Sequence, residues 1–195
     1  DILIIGGGPA GLAFAIHFAD LIRRHNEDVE NGKSRAARLP LNVLLLEKAK
    51  AMGNHTLSGA VINPVSLREL LPDIGVQDMP FESPVLKDDI HFLSRRSSFV
   101  LPFHPPYMGN QGNYIASLGN VVRWLAEIAE KKGIQVISGF NGSELIFENG
   151  KVMGARTGAF GIDRHGRPMP NYLPPADVRA RITVLAEGTR GNLTK

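Results

Sequence analysis

The sequence contains no cysteine among its 195 residues. This absence excludes disulfide bonds, cysteine-ligated zinc and any cysteine-held iron–sulfur cluster within these residues. The six histidines never recur at the four-residue spacing that places two of them on one face of a helix. We therefore expect no metal site in this chain and name no catalytic residue.

Long apolar runs and blocks of one charge are also lacking. No stretch approaches the roughly 18 apolar residues that would indicate a membrane-spanning helix. The 22 Lys and Arg and the 19 Asp and Glu are scattered and leave a net charge of +3. Because no basic cluster alternates with aromatic residues, we do not expect nucleic acid as a partner. The hydrophobic content of 43% is sufficient for a globular core.

Glycine is concentrated at the very start of the chain. An apolar run, Ile2 to Ile5, is typical of a buried parallel strand, and it is followed by GxGxxG and then by apolar residues at helical spacing. Gly6 allows a tight turn, Gly8 lets the backbone approach a diphosphate, and Gly11 lets the helix pack closely on the strand. With Pro9 and Ala10, this turn predicts a nucleotide diphosphate at the N-terminus of the helix.

A second predicted strand, Asn42 to Leu46, ends in Glu47, which is followed by Lys48. An acid at this position is the expected partner of the ribose hydroxyls of a dinucleotide. Glu47 lies further from the glycines than the roughly 20 residues that are usual. We attribute the excess to residues 25–41, which are polar and predicted to form an extended helix tail and a surface loop.

The rest of the chain predicts an α/β protein with a Rossmann-like FAD/NAD(P)-binding fold, a mainly parallel sheet and a β-rich insertion. Six prolines interrupt short strand-like runs between residues 72 and 113. We expect a first part of the nucleotide domain at 1–71, the insertion at 72–113, and a second part at 114–195. The second part contains a helix at 118–130, strands around the hairpin signal Asn149-Gly150, and a last strand at 180–186.

Two further segments are candidate parts of the site. The turn EGTRG after the last strand contains Glu187 and Gly188 and resembles turns that return beside a first glycine loop; a simple exit from the strand is the alternative. Thr56, Ser58 and Gly59 follow the ribose acid and are predicted to contact a cofactor, although an ordinary loop rich in Ser and Thr has the same spacing.

Residues 99–108, FVLPFHPPYM, are apolar and aromatic and follow Arg95 and Arg96. Such a segment suits a bilayer interface, with the arginines beside anionic headgroups. A lid packed over its own domain explains the same residues equally well.

Four strings resemble the electron transfer flavoprotein–ubiquinone oxidoreductase family, and together they extend from one end of the chain to the other. The strings are GGGPAGL (6–12), LLLEKAKAMGNHTLSGAVINP (44–64), QGNYIASLGNVVRWLAEIAEKKG (111–133) and VLAEGTRGNLTK (184–195). HTLSGA and the GNYI…LG run are more specific than the glycine turn, because related flavin hydroxylases and prenyl reductases differ there.

The resemblance implies the FAD-binding part of a membrane-associated electron-transferring-flavoprotein dehydrogenase. Such an enzyme passes electrons from reduced electron transfer flavoprotein to ubiquinone. It would be a peripheral protein of a bacterial cytoplasmic membrane or the mitochondrial inner membrane, resting on it through Phe99–Met108. The implied FAD contacts are Gly6, Gly8 and Gly11 for the diphosphate, Glu47 for the ribose, Thr56, Leu57, Ser58, Gly59 and Ala60 for the flavin, and Glu187 and Gly188 closing the diphosphate site. Pro9, Ala10 and Lys48 are further expected cofactor contacts.

The family carries a [4Fe–4S] cluster on cysteines near its C-terminus, and this chain has none. We therefore expect the chain to be an N-terminal fragment, inactive alone, whose iron–sulfur part is absent. Two alternatives stay open. An FAD-dependent hydroxylase or prenyl reductase shares the same layout, and a non-catalytic nucleotide-binding module shares only the first βαβ unit.

Overall fold

A computed structural model of the chain describes residues 1–103, 105–163 and 165–194. The chain forms two compact units. Unit 1 comprises Asp1–Thr56 and Val122–Lys195, and unit 2 comprises Leu57–Val121. Unit 2 includes the predicted insertion, 72–113, and extends beyond it at both ends.

The elements follow one another in the order predicted for an α/β protein, with strands more numerous than helices. The helices are α1 (Pro9–Glu30), α2 (Val65–Leu70) and α3 (Leu118–Lys131), with 3₁₀ turns at Val76–Asp78 and Pro106–Met108. The strands are β1 (Ile2–Ile5), β2 (Val43–Glu47), β3 (Ala60–Ile62), β4 (Ser83–Pro84), β5 (His91–Leu93), β6 (Ser98–Val100), β7 (Tyr114–Ala116), β8 (Gln135–Ser138), β9 (Gly142–Glu148), β10 (Lys151–Thr157), β11 (Phe160–Ile162), β12 (Pro168–Leu173), β13 (Asp177–Arg179) and β14 (Ile182–Leu185).

The centre of unit 1 is a parallel sheet with the strand order β14-β1-β2-β8. Strand β1, one of its two inner strands, is apolar throughout because both faces are covered, and Leu3 and Ile4 are completely buried. Helix α1 packs against the sheet with an apolar stripe at helical spacing. The buried members of this stripe are Leu12, Ala15, Ile16, Ala19 and Ile22.

The long connection between α1 and β2 is a helical extension followed by a loop, as its composition predicts. The helix continues to Glu30, and the loop is fastened back onto it by Asn26. The Asn26 side chain donates to the Leu39 carbonyl at 2.9 Å and accepts from the Leu39 N–H at 2.8 Å. This anchor brings the chain back to the start of β2.

An antiparallel sheet, β13-β10-β9, forms the second layer of unit 1. Its hairpin turns at Asn149 and Gly150, whose φ angles of 51° and 74° are those of a two-residue turn of the type predicted from the Asn-Gly pair. The excursion that follows β10 contains the antiparallel pair β11 and β12. It returns at Ala176, whose backbone forms two hydrogen bonds with Thr157.

Unit 2 contains an antiparallel sheet, β3-β7-β4, and a separate hairpin of β5 and β6. Phe81 stacks on Tyr114 with ring centroids 4.9 Å apart. Every residue of β5 and β6 is exposed, and Phe92 contacts Phe99 across the hairpin with centroids 5.3 Å apart.

Among the helices of the described residues, none is both long enough and apolar enough to cross a bilayer.

We predict that the buried hydroxyl of Thr157 stabilises the fold by holding the end of the 158–176 segment, at Ala176, against β10. The side chain is 4% exposed, and its Oγ1 accepts from the Ala176 N–H at 3.0 Å. Thr157→Val keeps the shape but leaves that N–H without an acceptor, so the free energy of unfolding should fall by about 1–3 kcal/mol. Thr157→Ser is the control, because it keeps the acceptor and loses about one methyl group, or ~0.8 kcal/mol. Urea denaturation that finds Thr157→Ser less stable than Thr157→Val would contradict this assignment.

Candidate functional site

A crevice of about 940 Å³ opens in unit 1 at the carboxyl ends of the four parallel strands. Ligands of open α/β sheets bind at this edge, because the loops that follow the strands converge there. The volume is within the range of sites that enclose a small molecule or cofactor. The loops that line it follow β1 (residues 6–10), β2 (residues 47–56), β8 (residues 140–142) and β14 (residues 186–194).

The glycine turn after β1 is shaped by two close backbone contacts. Gly6 has φ = 112°, and a Cβ at this position would lie 2.2 Å from the Ala186 carbonyl oxygen. A Cβ on Gly11 would lie 2.1 Å from the Gly6 carbonyl oxygen. These two glycines are therefore required by the packing of the protein itself.

Gly8 is different, because nothing lies within 4 Å of the position that its Cβ would occupy. The protein's own packing therefore does not require glycine at this position, which lines the crevice. A bare backbone facing an open crevice is the feature expected where a ligand must approach the chain closely.

The N-terminus of α1 provides unpaired hydrogen-bond donors beside Gly8. The first helical bond runs from the Leu12 N–H to the Gly8 carbonyl, and no side chain caps this end. The N–H groups of Gly8, Ala10 and Gly11 have no acceptor within the described part of the chain. Because the first turn also lacks acidic residues, this end of the helix favours an anion.

Glu47 lies at the end of β2, next to the glycine turn. Its Oε2 accepts from the Gly7 N–H at 2.8 Å, and its Oε1 accepts from the Ala49 N–H at 2.8 Å. A carboxylate has about four acceptor positions, so the fixed side chain retains capacity to accept from two hydroxyl groups. This position and this capacity fit the ribose of a dinucleotide.

Glu187 also lines the crevice, but its carboxylate is bound to the backbone. Oε1 accepts from the Asn192 N–H at 2.9 Å, and Oε2 accepts from the N–H groups of Leu193 and Thr194 at 2.9 and 3.1 Å. Gly188 follows with φ = 77°, and nothing lies within 4 Å of the position that its Cβ would occupy. The backbone of the turn therefore faces the crevice while the acid holds the turn together.

The remaining predicted contacts divide between the two units. Lys48 and Thr56 line the crevice, as do Pro9 and Ala10. Leu57, Ser58, Gly59 and Ala60 belong to unit 2, where Ala60 begins β3 and Leu57 is 80% exposed. No group of three or more His, Asp and Glu side chains in the described ranges is arranged to hold a metal ion.

Several lining residues were not identified from the sequence. Phe140, Asn141 and Gly142 follow β8, and Arg190 and Asn192 lie in the turn after β14. These residues follow from the parallel arrangement of the strands, because every parallel strand brings the loop after it to the same edge of the sheet. Gly7 was also missed, although its N–H holds Glu47 and a Cβ there would meet the Glu47 side chain at 2.9 Å.

Comparisons with curated proteins confirm the resemblance predicted from the sequence. The chain is homologous over its whole length to electron transfer flavoprotein-ubiquinone oxidoreductases, with 41% identity to the mitochondrial protein of Dictyostelium discoideum, 42% to that of Pseudomonas aeruginosa and 36% to the mitochondrial protein of Bos taurus. It covers 30%, 34% and 30% of these relatives, and so spans about a third of their length. No family model matches the chain.

Solved structures confirm the fold class. A myxobacterial chondrochloren halogenase, described as an FAD-dependent halogenase, superposes with a TM-score of 0.60 at 21% identity, over 100% of this chain and 38% of its own. A geranylgeranyl bacteriochlorophyll reductase-like protein from Thermoplasma acidophilum gives 0.59 at 25% identity, over 96% of this chain and 39% of its own. The chain has the Rossmann-type fold of FAD-dependent flavoproteins, with a parallel sheet and additional antiparallel sheets.

We predict losses of stability of different size for alanine at the two ends of the glycine turn. Gly11→Ala forces a Cβ against the Gly6 carbonyl, so the free energy of unfolding should fall by about 2–3 kcal/mol. Gly8→Ala adds a methyl group in open space and should cost no more than about 1 kcal/mol, the loss of a good residue at the helix N-cap. Chemical denaturation of both variants checks the difference. Equal losses would show that Gly8 is also required by packing.

Proposed function

We propose that this chain is the FAD-binding portion of an electron transfer flavoprotein–ubiquinone oxidoreductase, the family to which its curated homologues belong. The observation that carries the proposal is the crevice beside the helix N-terminus. There, unpaired N–H groups and a bare Gly8 meet a carboxylate fixed by the Gly7 N–H. The residues present fit an adenine dinucleotide, because an anion and a pair of hydroxyl groups each find a suitable partner.

In this proposal the chain's own residues bind and orient the cofactor. The N–H groups of Gly8, Ala10 and Gly11 donate to the diphosphate, and Glu47 accepts from the ribose hydroxyls. The segment 56–60 contacts the flavin, and the backbone at Gly188 closes the diphosphate site. Bound FAD supplies the electron-transfer chemistry, while the chain holds it in place and excludes water. The proposal gives no side chain an acid or base role.

The activity of the whole protein is proposed from its relatives. Electrons pass from reduced electron transfer flavoprotein to ubiquinone, and the proposed [4Fe–4S] cluster is held by cysteines that are not among these residues. An FAD-dependent hydroxylase or prenyl reductase has the same fold, as the reductase-like structure at 25% identity illustrates. The higher identity to the oxidoreductases, 36–42% in the relatives compared, favours the first activity.

The flavin spectrum separates these activities in the full-length protein. We expect reduced electron transfer flavoprotein to bleach the bound flavin, a ubiquinone analogue to restore it, and NADH and NADPH to leave it unchanged. Bleaching by a nicotinamide nucleotide alone would overturn the assignment in favour of a hydroxylase or reductase. A protein without any flavin absorbance would indicate a nucleotide-binding module.

Gly8→Ala provides a test of the cofactor site that does not depend on activity. The added methyl group occupies the space where the diphosphate would lie, so FAD affinity should fall at least about a hundredfold while the folded state remains. Glu47→Gln should lower FAD affinity about tenfold, because it removes a charged acceptor. Isothermal titration with FAD measures both. Unchanged affinity in Gly8→Ala would place the diphosphate elsewhere.

We further propose that the β5–β6 hairpin and the residues after it rest on a membrane surface, which makes the protein peripheral to a bacterial cytoplasmic or mitochondrial inner membrane. His104, in the predicted segment Phe99–Met108, lies outside the described residues. The exposed fractions of the large apolar side chains support the proposal; they are Phe92 58%, Leu93 72%, Phe99 56%, Phe103 64%, Tyr107 86% and Met108 50%. Arg95 and Arg96 occupy the exposed hairpin turn, which suits anionic headgroups.

Vesicle binding tests the hairpin with a matched control in the other unit. Phe99→Ser should reduce co-sedimentation with vesicles that contain an anionic lipid, because an apolar ring no longer enters the interface. Phe147 is similarly exposed, at 62% compared with 56%, and lies on β9 in unit 1, so Phe147→Ser should leave co-sedimentation unchanged. Equal losses for both variants would indicate non-specific adhesion and contradict the proposal.

A further inference from the structure

The turn after β14 is organised around one carboxylate. We name residues 187–194 the closing turn, since they form one wall of the crevice. Three successive N–H groups, those of Asn192, Leu193 and Thr194, donate to Glu187 at 2.9, 2.9 and 3.1 Å. A Cβ on Gly191 would lie 2.6 Å from the Glu187 Oε2, so the turn is wrapped closely around the acid.

The far end of the closing turn is attached to the core of unit 1. The Asn192 side chain donates to the Gly142 carbonyl at 3.2 Å, at the start of β9. Leu193 packs on the core cluster that contains Leu3 and Ile5. Glu187 therefore links the end of β14 to a segment that is itself fixed on the sheet.

Between these two ends, the closing turn offers hydrogen-bond donors to the crevice. The N–H groups of residues 188–190 form no backbone hydrogen bond within the part of the chain that the structure describes. Arg190 lines the crevice, and no carboxylate of the described residues forms an ion pair with it. Since Glu187 is held by three amides, the wall that remains is suited to a negative group.

We infer that Glu187 is a positioning residue, not a cofactor ligand: it fixes the closing turn so that the backbone of residues 188–191 and the guanidinium of Arg190 meet the anionic part of the cofactor. The inference rests on the proposed binding of FAD. A carboxylate without donors of its own would repel a diphosphate, whereas the three amide donors to Glu187 offset part of its charge. The acid thus acts through the geometry of its neighbours.

Hydrogen exchange of the protein freed of flavin tests the positioning directly. Glu187→Gln keeps the size of the side chain but replaces one acceptor oxygen by an amide group. The amides of residues 192–194 should exchange about tenfold faster, the loss of about one charge-assisted hydrogen bond. Exchange in α1 and β1 should be unchanged. Faster exchange throughout unit 1 would mean that Glu187 has only a general structural role, and would overturn the inference.

FAD affinity and the visible circular dichroism of bound flavin complete the test. In Glu187→Gln, affinity should fall about tenfold and the flavin signal should change, because the wall has lost its fixed form. Arg190→Gln is the matched variant in the same turn; its affinity should fall with amide exchange at the wild-type rate. Lower affinity in Glu187→Gln without faster exchange at residues 192–194 would make Glu187 a direct ligand. Unchanged affinity in either variant would remove the closing turn, or Arg190, from the site.

The two arms of the experiment separate this inference from the proposed function. If the unaltered protein binds no FAD, the proposed function fails. Exchange in the flavin-free protein still reports whether Glu187 fixes the closing turn. If the unaltered protein binds FAD and Glu187→Gln behaves like it in every measurement, the inference alone fails.

Discussion

The site in unit 1 depends on the close approach of the first turn to the two strands beside it. The Gly6 N–H donates to the Leu46 carbonyl at 2.9 Å, and the Ala186 N–H donates to the Ile5 carbonyl at 2.8 Å. This double attachment leaves no room for a side chain at Gly6. It brings the ends of β1, β2 and β14 to one place, so that the helix N-terminus, Glu47 and the closing turn all face the same crevice.

Glu47 and Glu187, which line this crevice, are both held in place by hydrogen bonds from backbone N–H groups. Glu47 is held by the N–H groups of Gly7 and Ala49, and Glu187 is held by three amides of its own turn. Backbone donors stabilise a carboxylate strongly and fix its direction. The difference lies in what remains free: Glu47 keeps acceptor capacity toward the crevice, whereas Glu187 leaves unpaired the N–H groups of residues 188–190 that follow it. One acid therefore suits hydroxyl groups and the other prepares a wall for an anion.

Features with a local cause were predictable from the sequence, and features set by tertiary packing were not. The Asn149-Gly150 turn and the glycines at 6 and 11 follow from backbone conformation and close packing, which specify residue types. Leu21 and Ile22 are adjacent apolar residues of α1, yet Leu21 is 46% exposed and Ile22 is buried, because the sheet determines which side of a long helix it covers. The hydrogen bonds of Glu187 depend on where residues 192–194 return, and no spacing rule contains that information.

The two units differ in how far the apolar residues of their strands are buried. In unit 1 the apolar residues of β1 are covered on both faces, whereas β5 and β6 of unit 2 are exposed along their whole length. A two-stranded hairpin has marginal stability in water, and the one contact between Phe92 and Phe99 adds only about 0.5–1.5 kcal/mol. Such a hairpin gains stability when its rings enter an apolar environment. The proposed membrane contact would therefore stabilise this part of unit 2, whereas the residues that line the crevice belong to unit 1.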